Sequence, residues 1–317
     1  MTGDWTMRNW AKGLAGAMAL GLIALAAGCG GNGPIAGTML AIGRAQAGMA
    51  AKTVETPSGT VHYLEGGKGE PVLLLHGIYA RKEHWLDFSE QLTGHYRVIA
   101  LDLPGFGDNA PLEPGGYRLS RQVSALAGVM DALGLQSAHI AANSMGGQIA
   151  GTLAVEQPTR VRSLAFIGSP LGVRGPKTTA FEKAVDRGRA PLVVRSLEDF
   201  EARNAVLFPG AVPDAPGAII RSWATAEVAR GPLNQQIWDE VASYDVTPLQ
   251  LIAPKIRQPA LVVWCQQDEV FHPSGGPVLA VALPNAELQR PEDCGHVPML
   301  DKPTLTGKLY RTFLKGL

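Results

Sequence analysis

The chain has 317 residues, of which 46% are hydrophobic and 18% charged, which is enough apolar material for one α/β domain. Its 28 basic residues balance its 28 acidic ones and no Lys/Arg-rich run occurs, which argues against a nucleic-acid partner. The three cysteines form no C-x-x-C pair, so no structural zinc site is expected.

Residues 1–29 have the pattern of an export signal. Arg8 and Lys12 precede an uncharged run that ends at Gly28, shorter than the about 20 apolar residues that a membrane-spanning helix needs. The last five residues, L-A-A-G-C, resemble a bacterial lipoprotein signal, which implies that Cys29 is lipidated. The protein would then be anchored to a membrane and face the periplasm or the cell exterior. A plain secretory signal and an uncleaved anchor are the alternatives.

Residues 30–52 are rich in Gly and Ala, and we expect them to form a flexible tether, with a short helix at its end as an open alternative. Residues 53–317 then alternate apolar strands with helical segments. A hairpin is predicted at Thr53–Glu65. Buried strands are predicted at Pro71–Leu75, Tyr96–Leu101, Ala138–Ala142, Val161–Ile167, Ala260–Cys265 and Glu287–Gln289. Helices are predicted at Leu119–Leu133, Met145–Gln157 and Thr304–Leu314. This alternation predicts an α/β fold with a mostly parallel sheet and helices on both faces.

The long segment between the strands at Val161–Ile167 and Ala260–Cys265 breaks the alternation. From about residue 169 to residue 254, the apolar residues mostly recur with helical spacing, and large apolar side chains are scattered along the segment. A segment of this length between two strands is an insertion, and we expect a helical cap over the sheet.

Ser144 lies at the junction of a predicted strand and a predicted helix, in the sequence A-N-S-M-G-G. Small residues at Ala142, Gly146 and Gly147 permit the sharp turn that exposes a nucleophilic serine at the carboxyl edge of a sheet. Alanine replaces the first glycine of the usual G-x-S-x-G, which adds one methyl group to the turn. The alternative is that Ser144 only caps the helix.

Five motifs in order resemble the α/β-hydrolase superfamily: L-L-L-H-G-I, D-L-P-G-F-G, A-N-S-M-G-G, W-C-Q-Q-D-E-V-F and C-G-H-V-P-M-L. Within it the chain is most similar to bacterial lipases and esterases and to monoacylglycerol lipases. The resemblance implies a nucleophile at Ser144, an acid at Asp268 and a base at His296, in the chain order of this fold. It also implies an oxyanion hole from the backbone N–H groups of Ile78 and Met145, and no metal or other cofactor.

Other acids and bases fit this triad less well. His272 shares a loop with Asp268 and does not easily reach Ser144, and Asp293 precedes His296 in the wrong loop for the acid. Some relatives place the acid after an earlier strand, where this chain has Gly168-Ser169-Pro170 and no carboxylate.

Cys265 and Cys294 flank the proposed acid and base. If Asp268 and His296 interact, the two sulfurs are neighbours and can form a disulfide in an oxidising compartment, with two reduced buried thiols as the equal alternative.

The apolar side chains of Phe271, Val297 and Met299 lie next to the catalytic loops and are candidates for substrate binding. The expected activity is hydrolysis of carboxylic esters with apolar acyl chains, such as acylglycerols, through an acyl-serine intermediate. A carbon–carbon bond hydrolase of the same fold and a non-catalytic binding protein are the alternatives. The oligomeric state stays open.

Overall fold

The computed structural model describes residues 34–209 and 217–317. Its eight strands are β1 (Met49–Thr56), β2 (Gly59–Gly66), β3 (Pro71–Leu75), β4 (Arg97–Leu101), β5 (Ala138–Ser144), β6 (Val161–Pro170), β7 (Ala260–Val263) and β8 (Ala286–Gln289). They form one sheet in the order β1-β2-β4-β3-β5-β6-β7-β8. The hairpin β1–β2 and its junction with β4 are antiparallel, and every other pairing is parallel. The predicted mostly parallel sheet is confirmed.

The helices are α1 (Pro34–Gln46), α2 (Leu86–Ser89), α3 (Leu119–Ala132), α4 (Met145–Glu156), α5 (Ala180–Asp186), α6 (Leu197–Leu207), α7 (Gly217–Ala229), α8 (Gly231–Ala242), α9 (Leu249–Ile252), α10 (Gly275–Ala282), α11 (Pro298–Asp301) and α12 (Pro303–Lys315). Short 3₁₀ helices occupy Lys82–Trp85, Pro158–Arg160 and Ala253–Lys255.

The sheet is covered on both faces, which explains its uninterrupted apolar runs. Along β3, Leu73 and Leu75 pack into the core beneath α3, α4 and α10, whereas Val72 and Leu74 pack into the core beneath α2 and α12. All four are fully buried. Because both faces exclude water, apolar side chains are favoured at every position of such a strand.

Helices α5 to α8 lie between β6 and β7 and form the cap, confirming the predicted insertion. Its boundaries differ from the expected 169–254, because Ser169 and Pro170 belong to β6. At the other end, Leu249, Ile252 and Ala253 are buried in the main core with α4. Cap residues Phe181 and Leu192 pack against the loop after β7.

For the segment at 30–52, the structure agrees with the open alternative of a short helix and not with a tether that is flexible throughout. Helix α1 and the first residues of β1 lie within it, and Leu40 and Ala47 are buried. The Arg44 guanidinium pairs with the buried Glu83 carboxylate at 2.6 Å. Packing and this ion pair therefore order a segment whose composition resembles a linker.

The predicted export signal, including Cys29, lies outside the described residues. Within the described ranges, no helix combines the length and the apolarity needed to cross a bilayer.

Candidate active site

Ser144 ends β5 in a backbone conformation that few residues adopt. Its φ of 51° and ψ of −118° place it in the left-handed half of the map, a strain that costs about 1–3 kcal/mol. A Cβ on Gly146 would lie 2.6 Å from the backbone oxygen of His76, so the turn requires glycine there. Ser144 makes no side-chain hydrogen bond to the N-terminus of α4, so the helix-cap interpretation is wrong.

The loop after β3 passes directly over the nucleophile. A Cβ on Gly77 would lie 3.0 Å from Ser144 Cβ, so only glycine lets the loop approach this closely. The next residue, Ile78, lines the same cavity as Ser144 and Met145. Tyr79 follows with a φ of 57°, so this loop, like the turn at Ser144, contains a strained non-glycine residue. The two predicted oxyanion residues therefore share one cavity wall with the serine.

Buried charges hold this loop in place. Asp102, at the end of β4, accepts hydrogen bonds from the Lys82 backbone N–H and from Lys82 Nζ, both at 2.7 Å. Glu83 is completely buried, and although burial alone would raise its pKa, the charges of Arg81 and Lys82 lower that pKa to about 2.

His76 has a structural role in this loop. Its Nε2 accepts the Leu103 N–H at 3.0 Å, which joins the ends of β3 and β4. Burial lowers the pKa of His76 to about 4, so the ring is neutral near pH 7.

Asp268 and His296 meet at the carboxyl edge of the sheet, together with a third side chain. His296 Nδ1 lies 3.2 Å from Asp268 Oδ2 and 2.8 Å from Ser169 Oγ, while Ser169 Oγ donates to Asp268 Oδ2 at 2.5 Å. The hydroxyl has one proton and the carboxylate accepts only. Nδ1 of His296 must then carry a proton and donate to both oxygens, and in the neutral ring this tautomer has Nε2 as the acceptor that a general base requires.

The remaining oxygen of Asp268 is also satisfied. Oδ1 accepts the backbone N–H groups of Val270 at 2.9 Å and Phe271 at 3.1 Å. The Phe271 ring contacts the His296 ring edge-on, with 5.8 Å between centroids. The imidazole is therefore fixed by hydrogen bonds at one nitrogen and by packing along its side.

Asn143, the residue before the nucleophile, connects the strand of Ser144 to the loop of His296. Its Nδ2 donates to the backbone oxygens of Ile167 at 2.8 Å and His296 at 3.0 Å. Ser144 and His296 line one cavity, and among the described residues no hydrogen bond joins their side chains. Such bonds often tighten only when substrate is bound.

A disulfide joins Cys265 and Cys294, whose Cα atoms are 5.3 Å apart. It links the strand-end loop that carries Asp268 to the loop that carries His296. The two rivals lie elsewhere: His272 Nδ1 is hydrogen-bonded to Ser274, and Asp293 is exposed.

Two cavities meet at Ser144, and Ile78 and Leu192 also line both. The larger, of about 280 Å³, is mainly apolar, and its walls include Phe181, Val185, Trp238, Val241, Val270 and Phe271. The smaller, of about 80 Å³, is lined by His296, by apolar side chains that include Leu207, Phe208 and Val297, and by the polar cap residues Arg203, Asn204 and Glu227.

The structure places the three predicted substrate residues in three different surroundings. Phe271 lines the larger cavity, and Val297 lines the smaller one beside His296. Met299 lines neither of these cavities, since it is fully buried in the core beneath α2 and α12, and its prediction as a pocket residue needs correction.

Sequence reasoning missed Ser169 and Asn143. Both are fully or almost fully buried polar residues at the ends of apolar strands. A buried polar group requires a hydrogen-bond partner, and that requirement was the available signal.

Comparison with known proteins agrees with this arrangement. The model of a family described as alpha/beta hydrolase fold matches residues 70–303. Lipase 3 of Moraxella sp. (strain TA144) is 30% identical over 251 residues, which cover 78% of each chain. Monoacylglycerol lipase abhd6-B of Xenopus laevis is 27% identical over 271 residues, covering 79% of this chain and 77% of that protein. A solved structure described as a membrane phospholipase A and bacterial virulence factor has a TM-score of 0.82 and 36% identity, covering 88% of this chain and 91% of the other.

Proposed function

Because this chain belongs to the alpha/beta hydrolase fold family, we propose that it is a lipase or esterase that hydrolyses lipid esters with apolar acyl chains, such as acylglycerols. The reaction passes through an acyl-serine intermediate on Ser144. It consumes one water and one ester, and it releases a carboxylic acid and an alcohol. The lipases and the phospholipase to which the chain is similar support this substrate class.

In the first half of the reaction, Ser144 Oγ attacks the ester carbonyl carbon while His296 Nε2 takes the hydroxyl proton. The carbonyl oxygen becomes an oxyanion and accepts the backbone N–H groups of Ile78 and Met145. One such donor is worth on the order of 3 kcal/mol in the transition state. The carbon–oxygen bond to the alcohol then breaks, and the His296 proton goes to the leaving alcohol.

In the second half, His296 takes a proton from water, and the resulting hydroxide attacks the acyl-serine. The ester bond to Ser144 breaks and the serine regains its proton. Asp268 stays ionised throughout, and it orients the imidazole and stabilises its positive charge.

The observation that carries the proposal is the strained backbone of Ser144 next to an ordered acid–base pair. A non-glycine residue with a φ of 51° persists only where the surroundings enforce it. Here the turn presents a hydroxyl at the junction of two cavities, of which the larger is mainly apolar and the smaller has a group of polar cap residues in its wall, which suits an ester with two unlike halves.

The carbon–carbon bond hydrolase is not favoured, because the similar proteins described above are lipases and a phospholipase. A purely binding role predicts a serine without special reactivity. That role conflicts with the arrangement of Asp268 and His296.

Two assays test the proposal. A fluorophosphonate probe should label the wild type and not Ser144→Ala, and p-nitrophenyl esters should be hydrolysed with a reproducible chain-length preference. Asp268→Asn should lower kcat by about 10⁴-fold, because the wrong tautomer of His296 is then favoured. Absence of labelling in correctly folded wild-type protein would overturn the assignment.

We also propose that residues 1–29 export the protein and that Cys29 carries the lipid anchor. The sequence before Cys29 supports this, and the uncharged run is too short for a typical membrane span. Metabolic labelling with an alkyne fatty acid should mark the wild type and not Cys29→Ala. Equal labelling of both would exclude this anchor.

A further inference from the structure

The smaller cavity has a polar wall that the ester chemistry does not use. Arg203 and Asn204 lie on α6, and Glu227 lies on α7. Their exposed fractions are 8%, 4% and 3%, so all three are withdrawn from solvent although they line the cavity. Buried polar groups on the wall of a ligand cavity commonly fix the orientation of a substrate.

Arg203 has hydrogen-bonding capacity left over. Nη1 donates to Glu227 Oε2 at 2.9 Å, and Nη2 reaches Asn204 Oδ1 only at 3.5 Å. Nε is buried and has no partner among the described residues. Nη1 and Nη2 carry four N–H groups and these two contacts use two of them, so the side chain can donate to a ligand from Nη1 or Nη2 without giving up its ion pair.

The chemistry of His296 decides which half of the ester enters this cavity. The general acid must protonate the leaving alcohol, so the alcohol must lie beside His296. His296 lines the smaller cavity and is not part of the wall of the larger one. The acyl chain then occupies the larger apolar cavity, and the alcohol meets Arg203, Asn204 and Glu227.

The charge on the wall restricts the kind of alcohol. Arg203 and Glu227 form an ion pair, so together they are close to neutral. A neutral alcohol with free hydroxyl groups can accept from the guanidinium and donate to the carboxylate. A phosphate group could only accept, and it would face the negative charge of Glu227.

We propose that Arg203, Asn204 and Glu227 form an alcohol-binding subsite that selects esters of neutral polyols, such as glycerol, over phosphate-bearing esters. This proposal rests on the proposed function, because it takes the leaving alcohol to be protonated by His296.

The experiment compares kcat/KM for three esters of one acyl chain: a monoacylglycerol, a methyl ester and a lysophosphatidylglycerol. We expect the wild type to prefer the monoacylglycerol to either of the others by about tenfold or more, as hydrogen bonds to charged groups allow. The variant Arg203→Met/Glu227→Met removes both charges together, which folded proteins tolerate better than removal of one partner. It should lose the preference for the monoacylglycerol, because kcat/KM falls more for that ester than for the methyl ester.

The matched control is Arg195→Met/Gln235→Met, which removes another polar pair of the cap, joined at 2.6 Å and lining neither cavity. This control should retain the wild-type preference. Glu227→Gln keeps the side-chain shape and serves if the double variant does not fold. It should improve hydrolysis of the lysophosphatidylglycerol relative to the monoacylglycerol.

The subsite is excluded if the folded Met/Met variant keeps the monoacylglycerol preference, or if the wild type hydrolyses the lysophosphatidylglycerol faster than the monoacylglycerol. A wild type that hydrolyses none of the three esters would instead refute the proposed function.

Discussion

The hydroxyl of Ser169 occupies the centre of the acid–base pair, and Ser169→Ala should remove two hydrogen bonds at once. The bonds are the 2.5 Å donation to Asp268 and the 2.8 Å acceptance from His296. A hydrogen bond to a charged group is worth about 1.5–3 kcal/mol, or about 10-fold to 150-fold in rate. Asp268 keeps two backbone donors and its contact with His296, so we expect a loss near the lower end, about tenfold to thirtyfold in kcat.

The same strand provides a control for Ser169→Ala. Ser163 is also fully buried on β6, and its Oγ lies 2.8 Å from Nδ1 of His139, far from the catalytic loops. Ser163→Ala should cost a similar amount of stability and leave kcat unchanged.

Steady-state kinetics on p-nitrophenyl esters, with Tm measured for each variant, separates the two effects. KM should change less than about twofold in Ser169→Ala, because orientation of the imidazole acts after substrate binding. Ser169→Thr retains a hydroxyl and should recover part of kcat. If Ser169→Ala and Ser163→Ala have the same kcat, Ser169 does not position His296 and the reasoning fails.

Three further predictions test the acyl cavity, the disulfide and the buried histidine. Val185→Trp should reduce the volume of the larger cavity and shift the preferred p-nitrophenyl ester toward shorter acyl chains, and an unchanged profile would place the acyl chain elsewhere. The bond between Cys265 and Cys294 spans 29 residues, so Cys265→Ser/Cys294→Ser should lower the free energy of unfolding in urea by about 3–4 kcal/mol, with a loss below about 1 kcal/mol contradicting this. Because burial lowers the pKa of His76 from 6.5 to about 4, the unfolded chain binds an extra proton in that interval, and stability falls as the pH drops through it. Urea titrations at pH 7 and pH 4 should show the wild type losing up to about 3 kcal/mol more than His76→Gln, in which the other titrating groups are retained; parallel losses would refute this.

Much of the fold was predictable because strands that are buried on both faces of the sheet appear in the sequence as uninterrupted apolar runs. The strand predicted at Pro71–Leu75 has those bounds in the structure, and the helix after Ser144 differs by one residue at its end. For the segment before β1, the sequence allowed a short helix but did not predict how it packs. Its small residues are typical of linkers, whereas Ala47 is buried by contacts with distant parts of the chain, and local composition does not encode such contacts.

The chain order of Ser144, Asp268 and His296 made the candidate site predictable, but its supporting side chains were not. Ser169 and His296 are 127 residues apart, and Asn143 and His296 are 153 residues apart. No local pattern links such residues. Polar residues at the end of a strand also resemble an ordinary turn. Because the end of β6 has no carboxylate, the sequence did not indicate that the Ser169 hydroxyl contacts Asp268 and His296.

A hydrogen bond connects the cap to the loop that carries Ile78, the residue proposed for the oxyanion hole. The Tyr79 hydroxyl donates to the backbone oxygen of Asn234 on cap helix α8 at 2.6 Å. Tyr79 follows Ile78 in a strained conformation, so we expect a shift of α8 to move the residue whose N–H is proposed to hold the oxyanion. Leu192, also from the cap segment, lies on the walls of both cavities. The cap therefore contributes part of the wall of both cavities at Ser144 and one hydrogen bond to the loop that carries Ile78.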